Sequence, residues 1–151
     1  MSRQFQNKRS LSMQIAWMNY GLPYRWGGDD PIKGFDCSGF VIEVLKSVGI
    51  LPNIGDWTAD GLWQMWKDDF QIASARTGAL VFWSYNPGGR KKHVELCIDE
   101  DHAIGASGGG HLIRTEQDAA VHNAYIKVRP IGPRGAMGIM EYLDPLYGRR
   151  S

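Results

Sequence analysis

The sequence is poor in cysteine: Cys37 and Cys97 are its only two in 151 residues. A two-cysteine chain of this size is not a disulfide scaffold, and with no second cysteine near either one it has no CxxC redox or zinc pair. Net charge is also nearly absent, with 17 basic residues set against 16 acidic ones. No clustered basic surface marks a nucleic-acid partner. Long hydrophobic runs are missing too. Polar residues break every apolar stretch well short of a membrane span, and no N-terminal stretch has the layout of a signal peptide. The expectation is a chain that stays cytoplasmic on synthesis or is brought elsewhere by a carrier. Internal repeats, low-complexity blocks and linkers are lacking as well. The sequence therefore reads as one domain over 1–151, with a core from about 10 to 142 and short, mildly basic tails.

Aromatic residues are plentiful, at 11% with six tryptophans. Tryptophan often lines ligand grooves, although at least half of these suit ordinary packing. Leu11, Ile15 and Met18 share a helical face behind Ser10, predicting a helix over 10–20 that Gly21 and Pro23 end. A glycine-rich loop follows over 21–36. Val41, Val44, Leu45 and Val48 then predict a helix from Cys37 to Val48, closed by Gly49 and Pro52. A third helix is expected from Thr58 to Lys67. Beyond it the pattern changes to short strands at 79–83, 93–98, 103–106, 125–128 and 136–140. Helices first and strands later, with short connections, predict an α+β fold.

Cys37 stands where the glycine-rich loop meets the second helix, in Phe35-Asp36-Cys37-Ser38-Gly39-Phe40. A helix N-terminus stabilises a thiolate, and its first N–H groups suit an oxyanion. Small neighbours leave room for a substrate carbonyl. The plainer reading is a small buried residue at a helix start. A thiol of this kind needs a base, and the chain offers His93, His102, His111 and His122. His93 opens an apolar strand that would hold an imidazole rigidly. Spacing alone leaves the four open.

Longer blocks settle the choice. Tyr24-Arg25-Trp26-Gly27-Gly28, Phe35 to Val41, Gly49-Ile50-Leu51-Pro52, Gly78 to Trp83, and His93-Val94 at a strand start occur in that order. Together they resemble the NlpC-type cell-wall cysteine peptidase family, over about residues 10–130. The resemblance implies a papain-like fold, in which N-terminal helices, one with the nucleophile at its start, pack on an antiparallel sheet carrying the base. It implies Cys37 as nucleophile and His93 as base. It places Tyr24 beside the thiol, and Asp36 and Ser38 where they help recognise a peptide amine. Trp26 is read as lining the groove. Asp36 also suits a helix N-cap.

The reaction implied is hydrolysis of a D-γ-glutamyl–diamino acid bond in the peptidoglycan stem peptide, with no metal or organic cofactor. An N-acetylmuramoyl-L-alanine amidase, another acyl hydrolase or transferase, and a non-catalytic wall-binding module are the competing readings. A 108–123 segment, glycine-rich and then polar, resembles phage members of the family, which would make a phage particle one carrier.

Two departures stand out. Ala79 replaces the family's aspartate at the first strand, at a turn. More seriously, Gly105 falls where the family places a third polar residue that orients the base. Glycine cannot do that. Glu95, two residues after His93 and so on the same strand face, is one substitute. His102 at the following turn is another, and His111 a third. Cys97, on that same face, is expected to be a half-buried structural thiol.

Overall fold

A computed structural model describes residues 3–23, 29–30, 34–35, 37–107, 115–122 and 124–146. Helix α1 (Arg3–Met18) leads into a two-stranded ribbon of β1 (Asp29–Asp30) and β2 (Gly34–Phe35). Helices α2 (Cys37–Ser47) and α3 (Ala59–Phe70) follow, then β3 (Gln71–Ile72), β4 (Leu80–Ser84), β5 (His93–Cys97) and β6 (His102–Ser107). A short helix α4 (Glu116–His122) precedes β7 (Tyr125–Pro130) and β8 (Ile139–Leu143). Six strands form one sheet in the order β3-β8-β4-β5-β6-β7, every neighbouring pair antiparallel. The α+β class and the helices-then-sheet order are as the sequence implies.

Alternation along the strands sends side chains to two different cores. Leu80, Phe82, Val94, Leu96, Ile104 and Ile126 face the helices and pack with Phe40, Val44, Leu45 and Leu62. Val81, Trp83, Cys97 and Ala103 face the other way, under Ile131, Met137, Met140 and Tyr142. Strand β4 is buried at all five positions, which explains its unbroken apolar run. That second core is a consequence of the β7–β8 connection folding back across the sheet.

Helix α2 is set by its own sequence. It buries Phe40, Val41, Val44 and Leu45 against the sheet. Gly49, at φ +78°, stops it. The Gly49 N–H donates to the Lys46 carbonyl at 3.1 Å and Ile50 N–H to that of Leu45 at 2.9 Å, the paired bonds of a left-handed helix stop. Thr58 Oγ1 caps α3 by accepting from the Gly61 N–H at 2.9 Å.

Several expected boundaries shift. Helix α1 begins at Arg3, because the polar run before Ser10 continues the helix without adding to its apolar face. Helix α3 runs on to Phe70. The last strand lies at Ile139–Leu143 instead of 136–140, because Arg134 and Met137 close a tight turn around Gly135 (φ +58°). Helix α4 was not expected from the polar 108–123 segment. No helix among the described residues is long and apolar enough to cross a membrane.

Candidate active site

Cys37 is the first residue of α2 and is half-buried. Helix α2 packs against β5, the strand that His93 opens. The Cys37 thiol and the His93 imidazole lie within interaction range of each other. His93 Nε2 lies 2.5 Å from Glu95 Oε2. With Nε2 engaged there, Nδ1 is the nitrogen left to face the thiol.

The imidazole also has an aromatic neighbour. Trp83, paired with His93 across β4 and β5, stacks its ring 5.2 Å away at a tilt of 49°. Just upstream, Lys91 is not a solvent-facing loop residue: its ammonium is fully buried, 2.5 Å from Glu141 Oε1 and 4.4 Å from the Trp63 ring centre. The Lys91 N–H also donates to Asp60 Oδ1 at 2.9 Å. These contacts fix the chain two residues before the imidazole.

Burial acts to lower the His93 pKa. The hydrogen bonds and negative charges of Cys37 and Glu95 outweigh it and raise the value to about 10. Burial likewise pushes the Glu95 carboxyl up, but His93 and then Arg134 more than reverse this and hold it below its ordinary value. The preferred state at neutral pH is an imidazolium beside an ionised Glu95 carboxylate.

Gly105 explains how Glu95 reaches its place. A Cβ built on Gly105 would overlap Glu95 Cγ and stand 3.0 Å from its Cβ and Cδ. The β5–β6 register is made at Leu96↔Ile104 and Cys97↔Ala103, just short of this point. The Glu95 side chain fills the space that the missing Cβ leaves over β6.

Of the other sequence candidates, His102 is not brought to the thiol. It opens β6 at the turn end of the β5–β6 hairpin, while His93 stands at the far end of β5. Its side chain is 47% exposed and its Nδ1 lies 3.1 Å from Asp99 Oδ1. Proximity in sequence misled here, since an antiparallel hairpin puts the two strand starts at opposite ends. Ser38 lies in the first turn of α2. Tyr24, Trp26, Asp36 and His111 lie outside the described residues. Cys97 is fully buried, more so than expected, and burial pushes its thiol up to about 12. Sequence reasoning missed Trp83 as a neighbour of His93 and Arg134 as a neighbour of Glu95. Trp83 looked like one more apolar strand residue, and Arg134 lies in a turn with no motif around it.

The NlpC/P60 family model matches residues 21–130. The probable peptidoglycan endopeptidase LytE of Bacillus subtilis is 32% identical over 114 residues, covering 76% of this chain and 30% of that protein. A gamma-D-glutamyl-L-lysine dipeptidyl-peptidase of the same organism is 33% identical over 98 residues, covering 63% of this chain and 28% of its own length. The chain thus spans less than a third of either relative. Among solved structures, the NlpC/p60 domain of the peptidoglycan hydrolase SagA superposes with a TM-score of 0.62 at 26% identity, covering 90% of this chain and 97% of that one. The family match runs from the end of α1 through β7 and so takes in the helix that carries the thiol and the strand that carries the imidazole: this chain belongs to the NlpC/P60 family of cell-wall cysteine peptidases.

Proposed function

We propose that this chain hydrolyses the D-γ-glutamyl–diamino acid amide of the peptidoglycan stem peptide, with Cys37 as nucleophile and His93 as its acid and base. The observation that carries this reading is one imidazole, His93, that interacts with the Cys37 thiol and has its Nε2 on the Glu95 carboxylate. Family membership and the similarity to the gamma-D-glutamyl-L-lysine dipeptidyl-peptidase support the choice of substrate.

An amide is a poor electrophile with a poor leaving group. A preformed thiolate–imidazolium pair answers both needs. In this reading Cys37 Sγ attacks the γ-carbonyl carbon and electrons move onto its oxygen. The N-terminal end of α2 carries the positive end of the peptide dipoles, which favours that oxyanion. As the C–N bond breaks, His93 gives its Nδ1 proton to the leaving amine, and a thioester remains on Cys37. Neutral His93 then takes a proton from water, hydroxide attacks the thioester, and the thiolate returns. Glu95 is a positioning residue throughout. It holds Nε2–H, so the ring presents Nδ1 to the thiol and the imidazolium is stabilised. Asp36, Ser38, Tyr24 and Trp26 belong to the substrate side of the same proposal.

The test is mass spectrometry of products from defined muropeptides, with wild type beside Cys37→Ala. Scission after D-glutamate that disappears in the variant is expected. Scission at the muramoyl–L-alanine amide instead would transfer the chain to the amidase reading. No scission of any stem peptide by folded wild type would move it to a wall-binding role.

A further inference from the structure

The imidazole and its carboxylate rest on a residue far away in sequence. Arg134 lies in the connection between β7 and β8, 39 residues beyond Glu95, yet its Nη2 is 3.2 Å from Glu95 Oε1. The other Glu95 oxygen is the one on His93 Nε2. One carboxylate therefore bridges an imidazolium and a guanidinium. Arg134 is itself held in place. Its Nη1 donates to the Pro130 carbonyl at 2.9 Å, and its guanidinium carbon lies 4.6 Å over the Trp83 ring. Trp83 Nε1 donates to the Gly132 carbonyl of the same turn at 2.8 Å. The Trp83 ring is also the one stacked on His93. The Arg134 side chain is only 9% exposed and that of Glu95 1%.

A buried carboxylate with one charged partner has a choice. It can keep its charge, or it can take the proton from the imidazolium and leave a neutral pair. A second cation on its other oxygen removes that choice. The planar fork also fixes the carboxylate's rotation, which a point charge does not.

We propose that Arg134 is a positioning residue for the Cys37–His93 pair, holding the Glu95 carboxylate ionised and turned onto His93 Nε2. The inference rests on the thiolate–imidazolium reading above, and not on which amide is cut. The charged and titratable groups that face this carboxylate are His93 and Cys97 on its own strand, Lys127 on β7 and Arg134 on the β7–β8 connection. Cys37 on α2 acts through His93.

The sign of the effect follows. Removing the guanidinium makes protonation of Glu95 easier, and the thiolate–imidazolium pair then fails at a higher pH on the acid side. The pH profile of Cys37 alkylation by iodoacetamide, located by peptide mapping, reads this without any substrate. Arg134→Gln is expected to move the acid limb up by about one unit, as the loss of a neighbouring charge does. Arg134→Lys keeps a charge but loses the fork. It is expected to leave the limb near that of wild type while slowing muropeptide turnover several-fold, with KM little changed.

In a Glu95→Gln background, Arg134→Gln should move the limb no further, because its route runs through Glu95. Unfolding midpoints measured alongside separate loss of fold from loss of positioning. If Arg134→Gln does not fold, the Arg134→Lys turnover and its KM carry the test. An acid limb and turnover equal to wild type in folded Arg134 variants would reduce Arg134 to a clamp on its own turn and overturn the proposal. So would an undiminished shift in the Glu95→Gln background. Muropeptide inertness of wild type together with a shifted limb would refute the substrate assignment and leave this inference standing.

Discussion

At the scale of single residues, the site depends on an exchange between two strands. The side chain that meets His93 Nε2 comes from the same strand, two residues on, and the facing position on β6 is left empty by Gly105. Gly105→Ala is accordingly expected to push Glu95 off the imidazole. Overpacking of this kind costs about 1–3 kcal/mol, read as a lower denaturation midpoint, and turnover should fall at least tenfold. Normal turnover in that variant would mean that Glu95 does not orient the base. Cys97 offers the contrasting case. It is a fully buried thiol that burial pushes up to about 12, the opposite of what activates a nucleophile. Cys97→Ala should keep turnover within about twofold of wild type while losing on the order of 1 kcal/mol from the vacated volume, by muropeptide assay and chemical denaturation.

At the scale of elements, what matters is how α2 and β5 are brought end to end. Helix α2 is anchored by its apolar face and stopped by Gly49 in the left-handed region. Gly49→Ala forces a side chain into that conformation and is expected to cost about 1 kcal/mol. The thiol lies at the opposite end of the helix, so the alkylation profile of Cys37 should not change.

Much of this level was legible in the sequence. Helical spacing from Val41 to Val48 and the Gly49–Pro52 stop mark α2 to within one residue of its observed end. The i, i+2 relation of His93 and Glu95 follows from strand alternation alone. Legibility ends where contacts cross large sequence separations. Nothing around Arg134 signals that its turn folds back under Trp83. The expected final strand was placed three residues early because Ala136 and Met137 look like strand but lie in that turn. His102 was attractive only for its nearness along the chain.

At the scale of the whole molecule, ion clusters among the described residues tie distant segments together. One is the site. Another ties the first helix to the residue just after the last strand: buried Asp144 accepts from Arg9 Nη2 at 3.0 Å and from Arg76 Nε at 2.6 Å. Arg9 also donates to the Thr77 carbonyl. Asp144→Ala would strand two cations. The cost of breaking a fully buried pair is about 3–5 kcal/mol, and with Arg76 41% exposed we expect about 2–3, measured by urea denaturation.

The site cluster couples stability to pH. His93 is raised on folding from 6.5 to about 10, so its contribution is complete below about pH 6.5 and fades as pH rises toward 10. Glu95 is lowered from 4.5, so its contribution is present above that value and is lost as pH falls below it. The stability difference between wild type and Glu95→Gln should therefore be largest near pH 5–6 and shrink on both sides. A difference independent of pH would show that the carboxylate and the imidazole are not coupled.

The central claim is that Cys37 carries the acyl half of a stem peptide during turnover. Intact-protein mass spectrometry of acid-quenched reactions, followed by peptide mapping, tests it most directly. The account predicts an adduct on Cys37 whose added mass equals the fragment ending in D-glutamate less one water, appearing with wild type and absent from Cys37→Ala. Turnover with no adduct on Cys37 and undiminished activity in Cys37→Ala would contradict it.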